Sequence, residues 1–307
     1  MKRLVVLGKI AVSLAVITWV LSRIDSSDLL VAMGKADVGL LLLAFSTHGI
    51  GFLLSAMRWG ILLRIENINV SLKMTLLTCW IGSFFNTFLP STVGGDVFRT
   101  YHVSKQSGKL WETAITVIFE RLAGVVALAA IGSLAFAWLY VSPTELSLWK
   151  VLAIGGIIHW GTSILPVADR TPRVTKILMC GWQLIGKLKQ SVLRYRNRRR
   201  EVSWIFLFSL LLQLNVIGHY SLVAAALDIQ LPFVHFCLLI PPILILTMLP
   251  ISVGGLGVRE VAFLFFFAPH GVTSAEILSI SLLSYMLSLL ASLSGGLVGS
   301  FYNTPSQ

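Results

Sequence analysis

Charged side chains are scarce in this 307-residue chain. Only 12% of the residues are charged, and the 13 Asp and Glu are outnumbered by 24 Lys and Arg, which gives a formal charge of +11. Soluble domains carry about 25% charged residues. Because 56% of the residues are hydrophobic, no stretch is left that could bury an independent aqueous core. The composition excludes a soluble catalytic domain and predicts an all-α integral membrane protein.

Cysteine is also sparse. Cys79 and Cys237 lie in apolar runs and Cys180 lies in a basic segment, so the spacing matches neither a disulfide framework nor a clustered metal site. The sequence also lacks a Walker motif for nucleotide phosphates. We therefore predict no metal and no cofactor, and any supply of energy must come from a gradient or a partner.

Six apolar runs are long enough for a bilayer, which takes about 20 residues for about 30 Å of hydrocarbon. They are residues 4–21, 38–63, 113–140, 148–167, 203–227 and 274–301. Two further runs, 74–89 and 233–249, are shorter and end at Leu-Pro. The pattern predicts about six full transmembrane helices and two broken helices that form re-entrant hairpins.

The basic residues indicate the orientation of these spans. Segment 168–201 holds ten Lys and Arg against Asp169 and Glu201, which is typical of a cytoplasmic loop. Counting spans from this loop and from the N-terminus places Arg64 and the segment 99–109 in the cytoplasm as well, provided that 74–99 enters and leaves on one side. Both termini are then predicted to be cytoplasmic.

The chain contains an internal repeat. Thr87–Arg99 matches Thr247–Arg259 at seven of thirteen positions, with an offset of 160 residues. Three predicted spans lie between the two motifs, so the second repeat should have the opposite orientation. Inverted repeats with Gly- and Pro-interrupted segments point to a transporter site near the bilayer midplane. The predicted domains are a first repeat over 1–147 with its re-entrant hairpin at 74–99, and a second repeat over 148–307 with its hairpin at 233–259 and the basic loop 168–201.

The repeated motif suggests a binding site for a phosphate group. Its proline ends one half-helix, its glycines permit a tight backbone, and the next half-helix should begin near Asp96 or Leu256. The N–H groups of a helix N-terminus favour an anion, and Arg99 or Arg259 adds a charge suited to phosphate. The alternative is that the arginines neutralise acidic neighbours and fix the hairpins. The candidate residues are Gly94, Gly95, Asp96, Arg99, Gly254, Gly255, Arg259 and Glu260.

Other polar residues inside the spans have two interpretations each. Glu120 and Arg121 lie within one span and mark its interior face, unless both reach the interface instead. Arg58 either guides headgroups inward or anchors its helix at the interface together with Trp59. The intramembrane residues His48, His159, Asn215 and His219 are either proton sites or partners in interhelical hydrogen bonds.

The basic loop has helical spacing of apolar residues between 174 and 192, opposite Arg and Lys. This pattern is typical of an interfacial helix on anionic lipid, although the charge also fits a simple topological signal. Nucleic-acid binding is not expected for so short a basic segment beside a bilayer.

With residues 95–99, Glu120-Arg121-Leu122 and 250–260, the chain resembles the lysylphosphatidylglycerol synthase transmembrane-region family over almost its whole length. In the multiple peptide resistance factor a related domain is a lipid flippase, and a separate soluble domain, which we do not expect in this protein, transfers the amino acid. The resemblance implies translocation of a lipid across a bacterial or archaeal cytoplasmic membrane. The implied partners are anionic or aminoacylated phospholipids or a polyprenyl-linked lipid, and a lipid-synthesising enzyme is a second candidate partner.

The leading hypothesis is therefore a flippase or scramblase, not an enzyme, that moves a phosphate-bearing lipid headgroup between the two hairpins. The alternatives are a membrane-embedded transferase with Asp96 or Glu120 as general base, an accessory subunit of lipid or glycolipid synthesis, and a small-solute transporter. The oligomeric state and the direction of transport stay undetermined by the sequence.

Overall fold

The structure is a computed structural model, and it describes residues 34–88, 93–140, 191, 193–248, 255 and 257–301. Within these ranges every regular element is helical. The elements are α1 (Val38–Ile65), α2 (Leu72–Phe88), α3 (Gly94–Ser107), α4 (Leu110–Tyr140), α5 (Arg199–Ala226), α6 (Phe233–Met248), α7 (Val258–Phe267), a short 3-10 turn (Ala268–His270) and α8 (Ser274–Phe301).

Four of the helices are long and apolar enough to cross a membrane. They are α1, α4, α5 and α8, with 28 to 31 residues each. Their bounds agree with four of the six predicted spans to within about four residues, because the hydropathy pattern changes sharply at each end. The other two predicted spans, 4–21 and 148–167, lie outside the described residues. The chain is a multi-pass membrane protein that is all-α within the described ranges.

The two short apolar runs form the short helices α2 and α6, of 17 and 16 residues. Each is followed by a second short helix, and α3 and α7 begin at Gly94 and Val258, within two residues of the predicted starts. Pro241 and Pro242 lie inside α6, which continues to Met248. These two prolines therefore do not end the helix. Helix lengths therefore recur as long, short, short, long in each half of the described chain.

The ends of α1 and α5 carry the same local structure. Asn67 and Asp228, 161 residues apart, both have a left-handed backbone, with φ of 56° and 59°. Ile68 N–H donates to Leu63 and Ile229 N–H donates to Ala224, at 2.9 and 3.0 Å. This is the Schellman arrangement, in which Asn and Asp tolerate the left-handed residue. The matching caps support the internal repeat, whose inversion and domain boundaries stay predictions.

The described residues group into two compact units. Residues of Met1–Leu53, Leu77–Phe98 and Leu214–Gln307 form the first unit, and residues of Leu54–Leu76 and Arg99–Gln213 form the second. Each unit therefore draws on both sequence halves.

In the first unit, α8 packs closely against α2. A Cβ added to Gly295 would lie 2.4 Å from the Trp80 carbonyl oxygen, and one added to Gly296 would lie 2.6 Å from the Phe84 ring. The Trp80 indole donates to Ser294 Oγ at 3.1 Å. Small residues that let two helix backbones approach are a typical device of membrane helices.

Candidate functional site

Arg58 and Glu120 form a buried ion pair in the second unit. Arg58 Nη2 lies 2.7 Å from Glu120 Oε1, and the two residues are 6% and 3% exposed. Arg58 Nη1 also donates to Ser209 Oγ at 3.2 Å, and Ser55 Oγ donates to Glu120 at 3.2 Å. Arg58 Nε is buried and has no hydrogen-bond partner within the part of the chain that is described. Helices α1, α4 and α5 thus meet at one polar cluster among apolar neighbours.

Arg99 joins the same cluster. Its Nη1 lies 3.0 Å from Glu120 Oε2, and its side chain is 10% exposed. The guanidinium also stacks over the Trp59 ring, with its carbon 4.9 Å from the ring centroid. Trp59 is held in turn by a 2.9 Å hydrogen bond from its indole to Thr116. One carboxylate therefore holds two guanidinium groups, and a fixed aromatic ring orients the second.

A second buried cluster lies in the first unit. Arg259 donates to Glu260 Oε1 through both Nη2, at 2.6 Å, and Nε, at 3.1 Å. Arg259 Nε also lies 3.1 Å from Ser281 Oγ, and the guanidinium carbon is 4.5 Å from the Tyr285 ring centroid. Arg259 and Glu260 are 9% and 4% exposed. This motif arginine, like Arg99, is held by a carboxylate and an aromatic ring.

Glu260 has a further structural role at the start of α7. Its Oε2 accepts a 2.6 Å hydrogen bond from the Gly257 N–H. Gly255 and Gly257 have φ of 78° and 84°, a backbone that glycine adopts without strain. The carboxylate satisfies a helix N-terminus that would otherwise attract an anion.

The first motif uses its glycines differently. Gly94 and Gly95 are helical, and neither has a positive φ. Gly95 is needed for close approach, because a Cβ there would lie 2.0 Å from the Gly82 carbonyl oxygen. The Gly95 N–H donates to Asn86 Oδ1 at 2.8 Å. The Asn86 side chain therefore satisfies one N–H group in the first turn of α3. The left-handed geometry allowed for by the sequence occurs at Gly255 and not at Gly94 or Gly95.

The remaining predicted residues are placed as follows. Asp96 is buried at the start of α3, and Arg121 is half-buried on α4. Gly254 lies outside the described residues. Within the second unit Arg58, Arg99 and Glu120 come together, and within the first unit Gly255, Arg259 and Glu260 do.

Two sequence interpretations are resolved by these contacts. Arg58 and Trp59 are not interface anchors, since they are 6% and 0% exposed and their partners are buried. The intramembrane His219 and Asn215 make interhelical bonds, with His219 Nδ1 3.0 Å from the Ala44 carbonyl and Asn215 Nδ2 3.0 Å from the Thr47 carbonyl. His48 Nε2 lies 3.1 Å from Ser288 Oγ. His159 lies outside the described residues.

One ion pair was missed by sequence reasoning. Glu66, just past α1, is 1% exposed and pairs with Arg194 at 2.5 Å. Tyr195 stacks on Phe119 with centroids 4.3 Å apart, and burial together with Glu66 raises the pKa of the Tyr195 phenol. Glu66 lies in a polar stretch after a span, so its sequence gives no sign of burial.

These contacts also bring three basic segments to one end of the second unit. Arg194 joins the last part of the basic loop to the end of α1, and Lys109 Nζ donates to the Asn67 carbonyl at 3.0 Å. The end of α1 and the start of α4 are thus neighbours. The side of the membrane on which this end of the unit lies stays a prediction.

Comparison with known proteins identifies the family. The family model described as the lysylphosphatidylglycerol synthase TM region matches residues 6–295, which is nearly the whole chain. The chain belongs to this family.

One relative of this chain is the UPF0104 membrane protein PH1989 of Pyrococcus horikoshii. It is 26% identical over 295 residues, which cover 87% of this chain and 88% of the relative. Membership in the lysylphosphatidylglycerol synthase TM family associates the chain with a lipid-related membrane function.

Proposed function

We propose that the protein translocates a lipid with a phosphate-bearing headgroup, and that Arg99 and Arg259 bind the phosphate. The observation that carries this proposal is the pairing of each motif arginine with a buried carboxylate that keeps other partners. Buried charges inside membrane proteins are costly and mark functional sites by default. Guanidinium groups suit phosphate because they present several N–H donors in one plane.

In the second unit, Arg99 can exchange Glu120 for a phosphate at a low cost in free energy. If Arg99 turns from Glu120 to a phosphate, Glu120 keeps Arg58 at 2.7 Å and Ser55 at 3.2 Å. The carboxylate is then never left as an unpaired buried charge, which would cost several kcal/mol, about 3–5. Arg58 Nε, a buried donor without a described acceptor, is a second group for a headgroup oxygen.

The first unit offers the same exchange with different groups. If Arg259 turns to a phosphate, Glu260 keeps the Gly257 N–H at 2.6 Å and the Ser281 hydroxyl at 3.3 Å. In both units the carboxylate positions the arginine before the lipid arrives, and the arginine then leaves the carboxylate to bind the phosphate. The Trp59 and Tyr285 rings hold the guanidinium planes meanwhile through cation–π contacts.

The family supports a lipid as cargo. The acyl chains stay in the bilayer while the headgroup passes the arginines. We further propose that the protein works as a translocator rather than an enzyme, in the cytoplasmic membrane of a bacterium or archaeon, with both termini in the cytoplasm. The partners we propose are anionic or aminoacylated phospholipids, polyprenyl-linked lipids and an enzyme that synthesises the cargo.

A reconstitution assay tests this proposal. Full-length protein is placed in vesicles that contain fluorescent phosphatidylglycerol, and the label that reaches the outer leaflet is quenched by a membrane-impermeant reductant. Arg99→Gln and Arg259→Gln should each slow translocation by about tenfold or more, since a hydrogen bond to a charged group contributes about 1.5–3 kcal/mol. Arg196→Gln removes the same charge from an exposed position outside both clusters and should retain most of the rate. Unchanged rates in the first two variants, at equal protein content, would reject the assignment.

A further inference from the structure

A shallow cavity of about 520 Å³ lies on the outer surface of the second unit. It is formed where the end of α1 meets the start of α5. Its lining residues are Met57, Ile61, Arg64, Ile65, Arg198, Glu201, Trp204 and Phe208. None of them belongs to the buried Arg58–Glu120–Arg99 cluster.

The walls of the cavity are apolar. On α1, Met57, Ile61 and Ile65 follow each other at a spacing of four and so share one helix face. On α5, Trp204 and Phe208 have the same spacing, and their rings stack with centroids 6.0 Å apart. Trp204 is 47% exposed. The walls therefore form a strip along which a hydrocarbon chain can lie.

The rim of the cavity is cationic. Arg64 lies in the last turn of α1, where a positive charge suits the helix dipole. Arg198 directly precedes α5, and Arg199 and Arg200 occupy its first turn. Among the described residues that line this cavity, Glu201 is the only acidic one, and it pairs with Arg198 at 3.1 Å.

The arginines at the start of α5, Arg198, Arg199 and Arg200, favour a bound anion. A helix N-terminus carries a partial positive charge, so the three consecutive arginines at the start of α5 are unfavourable there. A phosphate at the rim offsets both the dipole and the arginine charges. Free phosphate would leave the strip of Trp204 and Phe208 uncovered, whereas a phospholipid covers both parts.

We propose that this cavity binds an anionic glycerophospholipid of the surrounding membrane. Its phosphate lies between Arg64 and Arg198, and one acyl chain lies along Trp204 and Phe208. This site holds a resident lipid on the protein surface and does not depend on the proposed translocation.

Native mass spectrometry of the full-length, detergent-solubilised protein tests the site. The protein is titrated with dioleoyl phosphatidylglycerol, dioleoyl phosphatidylcholine or glycerol 3-phosphate. The wild-type protein should bind phosphatidylglycerol more tightly than phosphatidylcholine and show no comparable binding of glycerol 3-phosphate. The variant with both Arg64→Gln and Arg198→Gln should bind phosphatidylglycerol about tenfold more weakly, which corresponds to about 1.4 kcal/mol.

A matched double variant separates a specific site from diffuse attraction. Lys105→Gln with Arg196→Gln removes the same charge from two exposed positions of the second unit, but neither side chain lines this cavity. It should leave phosphatidylglycerol binding within about twofold, whereas Trp204→Ala should weaken it without affecting glycerol 3-phosphate. Equal weakening in the two double variants, or glycerol 3-phosphate binding as tight as that of the lipid, would overturn the proposal.

Discussion

Arg99 Nη1 lies 3.0 Å from Glu120 Oε2, on the carboxylate that Arg58 contacts at 2.7 Å through its other oxygen. Arg99 belongs to the repeated motif, whereas Arg58 and Glu120 belong to membrane-spanning helices. Glu120 thus connects the motif arginine with a membrane-spanning helix through one shared carboxylate. This arrangement makes Glu120 the residue on which the geometry of the cluster depends.

Replacing Glu120 with Gln should destabilise the protein strongly. The change leaves two buried guanidinium groups that face a neutral amide, and breaking a buried pair costs about 3–5 kcal/mol. Thermal unfolding in detergent, followed by the monodisperse fraction on size exclusion, measures the effect. Glu201→Gln breaks a surface pair of half-exposed groups and should cost at most about 1 kcal/mol. Similar melting temperatures for both variants would contradict the role of Glu120.

Replacing Arg194 with Gln should also destabilise the protein, but less. Its partner Glu66 has a fully buried carboxylate, while the Arg194 side chain is 39% exposed, so solvent screens part of the loss. We expect about 1–3 kcal/mol. Arg196→Gln removes the same charge two residues away from an exposed position and should be near neutral. If the additional change Glu66→Gln fails to recover any stability, the pair does not act as described.

The contact between α2 and α8 predicts that Gly295→Ala is harmful. The new Cβ would lie 2.4 Å from the Trp80 carbonyl oxygen, so the helices must separate and lose the Trp80–Ser294 hydrogen bond. Overpacking of this kind costs about 1–3 kcal/mol. Gly218→Ala places its Cβ in open space and should be neutral or stabilise α5 by about 0.5–1 kcal/mol. The melting temperatures of the two variants should therefore move apart, and equal values would contradict this packing.

The pair His235 and His270 predicts acid sensitivity. The ring centroids are 5.4 Å apart, and burial together with His235 lowers the pKa of His270 below 6.5. Because the folded state holds the proton less well than the unfolded chain, the stabilising contribution is complete above pH 6.5 and is lost as the pH falls below it. The melting temperature should drop between about pH 7.5 and about pH 5.5, and His270→Gln should reduce that drop. An unchanged drop in the variant would exclude His270 as a cause.

Much of the fold could be predicted from hydropathy and a few residue types. The described long helices follow the apolar runs, and the breaks after α2 and α6 follow Leu-Pro. These features are local, so each segment carries its own signal. The inverted repeat, which the match of Thr87–Arg99 with Thr247–Arg259 predicts, stays a prediction.

The partners of the charged residues could not be predicted in the same way. Arg58 and Glu120 are 62 residues apart, and Glu66 and Arg194 are 128 apart. Hydropathy does not report which faces of two helices meet. For the same reason the sequence left Arg58 with two interpretations. Its burial against Glu120 argues against the interface anchor, and a role in guiding headgroups stays a prediction. The equivalent glycines Gly95 and Gly255 also differ in their structural role. Gly95 allows close approach of the Gly82 carbonyl, whereas Gly255 has a positive φ in a turn.

The most direct test of phosphate recognition compares two fluorescent lipids that differ only in the headgroup. Translocation is measured in the same vesicles for labelled phosphatidylglycerol and for a labelled diacylglycerol glycoside that has no phosphate, with wild-type protein and with Arg99→Gln. We expect the wild-type protein to move the phosphate lipid at least about tenfold faster than the glycoside above the protein-free background, and the variant to lose most of this preference. Equal rates for the two lipids in the wild-type protein, or a preference that survives in the variant, would contradict phosphate binding by Arg99.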